Sequence, residues 1–60
     1  MDFELGKIFI KKKLFKKALK IFNDILKKDH NNFRAIFQIG KIYYESNDLN
    51  QSIVYFEKCN

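Results

Sequence analysis

Sixty residues carrying a formal charge of +5 make one small domain, which buries only about 60% of the surface its unfolded chain exposes and is marginal in stability on its own. A single cysteine, Cys59, and a single histidine, His30, exclude an internal disulfide and a four-ligand zinc site, so support is expected from another chain or from more of the same chain. No apolar run approaches the roughly 20 residues of a membrane-spanning helix, and Met1-Asp2-Phe3-Glu4 opens no visible signal peptide, so the expectation is a soluble, cytoplasmic protein of a reducing compartment.

Helical periodicity of roughly 100° per residue divides the chain into four segments. The first, about residues 2–12, carries Phe3, Leu5, Gly6, Ile8 and Phe9 and ends at Lys11-Lys12-Lys13, a turn that offers the next helix no capping side chain. The second, about 14–28, is the cleanest amphipathic segment. Leu14, Phe15, Ala18, Leu19, Ile21, Phe22, Ile25 and Leu26 crowd one side of its wheel, while Lys13, Lys16, Lys17, Lys20, Lys27 and Lys28 hold the other, a separation that no reading as strands preserves. Asp29-His30-Asn31-Asn32 then closes one helix and opens the next, about 32–46, through asparagine chemistry. In this third segment Ile36, Ile39 and Tyr43 define a core side, and Phe37 and Tyr44 form a separate stripe beside Arg34 and Lys41. A turn at Asn47-Asp48, with Asp48 as cap, leads to the fourth segment, about 49–59. There Leu49, Ile53, Phe56 and Cys59 are expected to face inward, and Val54 and Tyr55 point elsewhere and call for a further contact.

A repeat of 34 residues runs through these segments. It aligns Phe3 with Phe37, Gly6 with Gly40, Lys7 with Lys41, Ile8 with Ile42 and Phe22 with Phe56, and the two glycines are the only ones in the chain. Leu5 with Ile39, Phe9 with Tyr43, Phe15 with Leu49 and Leu19 with Ile53 match in apolar character. The pattern resembles the tetratricopeptide repeat, a 34-residue helix-turn-helix unit whose signature runs W-x2-L-G-x2-Y, A-x3-F, P. Leu5-Gly6, Phe9, Ala18 and Phe22 carry it in the first copy, and Ile36, Ile39-Gly40, Tyr43 and Phe56 in the second. Asp2 stands where the family often has Trp, Ser52 replaces the second small Ala, and His30 replaces the Pro.

The resemblance implies an all-α fold of two helix-turn-helix repeats, stacked as an antiparallel four-helix α-solenoid fragment. It implies a single domain over residues 1–60, with repeat 1 at about 1–32 and repeat 2 at about 33–60, the latter incomplete at its C-terminal end. Gly6 and Gly40 would mark close approach between helices. Stacks of such units need about three repeats and a polar capping helix, so the expectation is either self-association through the last helix, with Val54 and Tyr55, or continuation into a longer protein.

Constellations for catalysis are missing. Gly6-Lys7 and Gly40-Lys41 supply the middle pair of a phosphate-binding loop without its upstream glycine, and His30 reads as a turn histidine rather than a general base. No enzymatic activity, cofactor or metal is expected. The resemblance instead implies a protein-interaction scaffold in which the first helix of each pair lines a concave groove that accepts a peptide. The implied groove residues are Phe3, Lys7, Ile10 and Lys11 in the first copy and Arg34, Phe37, Gln38, Lys41, Tyr44 and Glu45 in the second. Aromatic surface beside cations suits a peptide with apolar side chains and carboxylates. The carboxylate clamp of chaperone-binding members is not expected, because its positions hold Phe3, Lys7 and Gln38.

The alternative is an anionic partner, nucleic acid or membrane surface, met by the lysine-rich face Lys13, Lys16, Lys17, Lys20 and Lys27. Residues 1–30 do hold nine of the twelve Lys and Arg. That face, however, has no interleaved aromatic for base stacking and no arginine for bidentate contact. A membrane would also claim the apolar face that the fold needs for its core.

Overall fold

Residues 2–59, described by a computed structural model, form four helices: α1 (Asp2–Lys11), α2 (Phe15–Lys28), α3 (Phe33–Glu45) and α4 (Leu49–Lys58). Met1 and Asn60, the outermost residues of the two expected repeats, lie outside the described residues. α1 packs on α2, α2 on α3 and α3 on α4, and α1 also touches α3. The result is an all-α stack of two helical hairpins, a slab of 27 × 25 × 13 Å whose thin direction holds no more than two helices at the usual spacing of about 8–10 Å.

The two glycines set how each hairpin closes. A Cβ placed on Gly6 would come within 2.6 Å of Phe22 Cζ, and one on Gly40 within 2.7 Å of Phe56 Cδ1. In each copy the ring of the second helix therefore occupies the space that a side chain would fill, which is why the Gly–Phe pair recurs at the 34-residue offset. The neighbouring aromatics repeat as well. Phe3 meets Phe22 edge-on with centroids 5.3 Å apart, and Phe37 meets Phe56 at 5.5 Å in a tilted arrangement.

The hairpin turns are also duplicates. Lys13 (φ 62°) and Asn47 (φ 69°) both adopt the left-handed conformation. Around them, Leu14 N–H donates to the Phe9 carbonyl and Lys13 N–H to that of Ile10, as Asp48 N–H donates to Tyr43 and Asn47 N–H to Tyr44. This is the Schellman closure, usually built on Gly or Asn. The sequence reading missed it at Lys13 because a lysine gives no signal for positive φ. What differs is the start of the following helix. Asp48 Oδ1 accepts from Gln51 N–H at 3.3 Å and Asn32 Oδ1 from Ala35 N–H at 3.1 Å, whereas Leu14 leaves α2 without a side-chain cap.

The buried cluster joins Ile10, Ala18, Phe22, Ala35, Ile39 and Ile42, with Phe3, Phe9, Phe15, Leu19, Ile25, Leu26, Tyr43 and Tyr55 packed against it. Four side-chain expectations are corrected. Leu14 is exposed, because it is the residue before α2 rather than a member of its apolar stripe. Leu49 and Ile53 are exposed, and Tyr55 is turned inward, stacked on Tyr43 at 5.6 Å. The cause is the phase of α4. With Phe56 seated over Gly40, the small Ser52 becomes the buried contact, and Ile53, one residue on, lies about 100° round the helix. Val54 is exposed as expected. Burial of Tyr43, together with nearby Tyr55 and Asp48, raises its phenol pKa above the ordinary tyrosine value.

Candidate functional site

α1 and α3 run side by side, and the residues that line the depressions between them advance in step. Phe3, Lys7, Arg34, Phe37 and Gln38 line one cleft together with Phe33 and Cys59. Lys7, Ile10, Lys11, Gln38, Lys41 and Glu45 line the next. Lys7 and Gln38 line both, so the two clefts adjoin. Phe3 and Arg34 are likewise shared with a further hollow lined by Asp2, Ile25 and Asn32. From Arg34 to Glu45 the helical rise spans roughly 16 Å, room for about five residues of extended chain.

Nine of the ten residues expected in a groove are thus brought together, and Tyr44 is exposed outside the lining of these clefts. Ile10 is buried and belongs to the floor rather than to an accessible wall, because one side of it is claimed by the core. Phe33 and Cys59 were missed by the sequence reading. Cys59 reaches the groove because its Sγ donates to the Phe33 carbonyl at 3.6 Å, a contact across 26 residues with no local signature.

The groove is cationic and aromatic. The Arg34 guanidinium lies 4.9 Å from the Phe3 ring centroid and Lys7 Nζ 6.0 Å from it, so Phe3 holds two cations at the groove edge. Among the described residues the one ion pair is Lys20 with Asp24, at 3.7 Å on the outer face of α2. Lys7, Lys11, Arg34 and Lys41 have no carboxylate partner among them. The two clefts enclose about 290 and 150 Å³, too little to bury a drug-sized molecule but enough for single side chains.

The lysine face of α2 has a different character. Lys13, Lys16, Lys17, Lys20 and Lys27 are all exposed. Lys17 lies over the Phe9 ring at 5.8 Å and Lys20 is paired with Asp24, so two of the five are already engaged. Among the described residues no cluster of His, Cys, Asp and Glu is placed to hold a metal ion, and no helix is long and apolar enough to cross a membrane.

Residues 33–60 match the family description of the tetratricopeptide repeat. The α3–α4 hairpin is consistent with a tetratricopeptide repeat. The α1–α2 hairpin reproduces it in the glycine–phenylalanine contact, the paired aromatic rings and the left-handed turn, each displaced by 34 residues. Tetratricopeptide repeats mediate protein–protein interactions. None of the curated proteins matches the chain.

Proposed function

We propose that the chain is a protein-interaction module whose α1–α3 groove binds an extended, acidic segment of a partner protein, with no chemistry of its own and with both hairpins acting as one unit. The observation that carries this reading is the pair of adjoining clefts: aromatic rings at Phe3, Phe33 and Phe37 beside four cations that lack carboxylate partners among the described residues. A partner chain supplies apolar side chains to the clefts and carboxylates to Lys7, Arg34 and Lys41. The planar guanidinium of Arg34, over the Phe3 ring, can receive a carboxylate in bidentate fashion. The exposed lysines of α2 serve as a solvated exterior.

A labelled peptide alternating aromatic and acidic residues, titrated by fluorescence anisotropy, tests this reading. Lys41→Glu or Phe37→Ala weakens binding by roughly tenfold or more, about 1.4 kcal/mol, and added salt weakens it further through screening. The triple replacement of Lys16, Lys17 and Lys20 by Gln leaves it unchanged. Binding that survives the groove variants and is lost with the α2 lysines would overturn the proposal in favour of a generic anionic partner.

A further inference from the structure

The 34-residue repeat places equivalent residues in unequal surroundings. On α3, Ile39 and Ile42 are 0% and 1% exposed. They sit in the cluster that holds Ala18 and Phe22 of α2, with Phe15 and Leu19 packed against it. Their repeat mates on α1, Leu5 and Ile8, are 44% and 46% exposed. Phe15 and Leu19 are half-buried, yet their mates on α4, Leu49 and Ile53, are 54% and 55% exposed. The chain therefore makes one apolar interface internally, between α2 and α3. It also presents the two halves of a second such interface on α1 and α4, which do not touch each other.

We infer that a second copy of this chain covers these faces head to tail, with α1 of one copy lying on α4 of another as α3 lies on α2 within the chain. The chemistry matches position by position. Leu5 and Ile8 replace Ile39 and Ile42 with side chains of the same volume, and Leu49 and Ile53 replace Phe15 and Leu19 with apolar ones. Asp2, the mate of Ile36, is a polar exception, as is the small Ser52, the mate of Ala18. In the antiparallel arrangement Asp2 arrives at the end of α4 that carries Lys58. Such a contact is heterologous: the two surfaces differ, each added copy leaves the same pair of faces open, and assembly extends beyond a dimer.

Two single variants test the arrangement. Leu5→Glu closes the α1 face and Ile53→Glu the α4 face, and both positions are exposed enough that helical circular dichroism should be preserved. In sedimentation velocity the wild-type mass rises with concentration past the dimer, and each variant alone stays monomeric. Their equimolar mixture forms a heterodimer and stops there, because each variant retains the face that the other has lost. Three outcomes would overturn the inference: a wild type that stays monomeric through the micromolar range, a single variant that still self-associates, or a mixture that remains monomeric. The first would leave the faces to further repeats or another protein, and the second would mark a like-with-like contact.

Discussion

Gly6→Ala sets two effects of known size against each other. In an unobstructed helix interior the change favours Ala by about 1 kcal/mol. Here the new methyl would stand 2.6 and 2.8 Å from Phe22 Cζ and Cε2 and 3.2 Å from Ile21 Cγ2, against roughly 3.5–4.0 Å for carbon atoms at their best separation. The ring must retreat by about 1 Å, and Phe22 is fully buried with Phe3 against it. Overpacking of that kind costs about 1–3 kcal/mol, so the net effect is a loss of up to roughly 2 kcal/mol and a Tm lower by up to several degrees. Gly40→Ala makes a similar clash with Phe56 at 2.7 Å, but that ring is only half-buried and can tilt outward, so its net effect lies near zero. Phe22→Leu should relieve the clash. Measured by urea unfolding, the Gly6→Ala/Phe22→Leu cycle is expected to show a favourable coupling of about 1 kcal/mol. A Gly6→Ala protein more stable than wild type, or strict additivity with Phe22→Leu, would refute the claim that the glycine is there to admit the ring.

Three further changes follow from the turns and from Tyr43. Lys13→Gly relieves the left-handed strain of a residue at φ 62° and raises stability by about 0.5–1 kcal/mol in thermal melts. Leu14→Asp gives α2 the cap that Asp48 provides at the equivalent place and puts a negative charge beside Lys16 and Lys17; a gain of about 0.5–1 kcal/mol is expected in the same assay. The phenol of Tyr43 has a pKa raised in the folded state, chiefly by burial and then by Tyr55 and Asp48. The folded chain therefore holds this proton more tightly than the unfolded one. The associated stability is fully present below the ordinary tyrosine pKa of about 10 and is lost as pH rises through the folded value. Tyr43→Phe should flatten the alkaline limb of the stability profile, and an unchanged limb would contradict that assignment.

Helix positions and the repeat could be read from the sequence because both rest on spacing. The α2 stripe has period 3.6, and the offset of Gly6 and Gly40 survives every other substitution. Asn32 and Asp48 gave their helix starts away because capping is local chemistry. The phase of α4 was not legible. Leu49, Ile53 and Phe56 make as good a stripe on paper as Ser52, Tyr55 and Phe56, and the choice between them is made by the ring seated on Gly40, a contact between two helices. The turn at Lys13 was legible but its left-handed geometry was not, because the backbone conformation there is imposed by the hydrogen bonds of Leu14 and Lys13 to Phe9 and Ile10, against the residue's own preference. Of the residues that line the clefts, Phe3, Lys7 and Gln38 were expected from the family resemblance alone, and Arg34 and Lys41 from helix phase as well. Cys59 was not, because it arrives from the far end of the chain.

Backbone amide shifts, recorded while an acidic aromatic peptide is added, test most directly the claim that α1 and α3 form the binding face. The groove account predicts that the largest changes fall on Phe3, Lys7, Arg34, Gln38 and Lys41, with the amides of Lys16, Lys17 and Lys20 unmoved. Changes concentrated on α2, or spread along every lysine in proportion to its exposure, would contradict it.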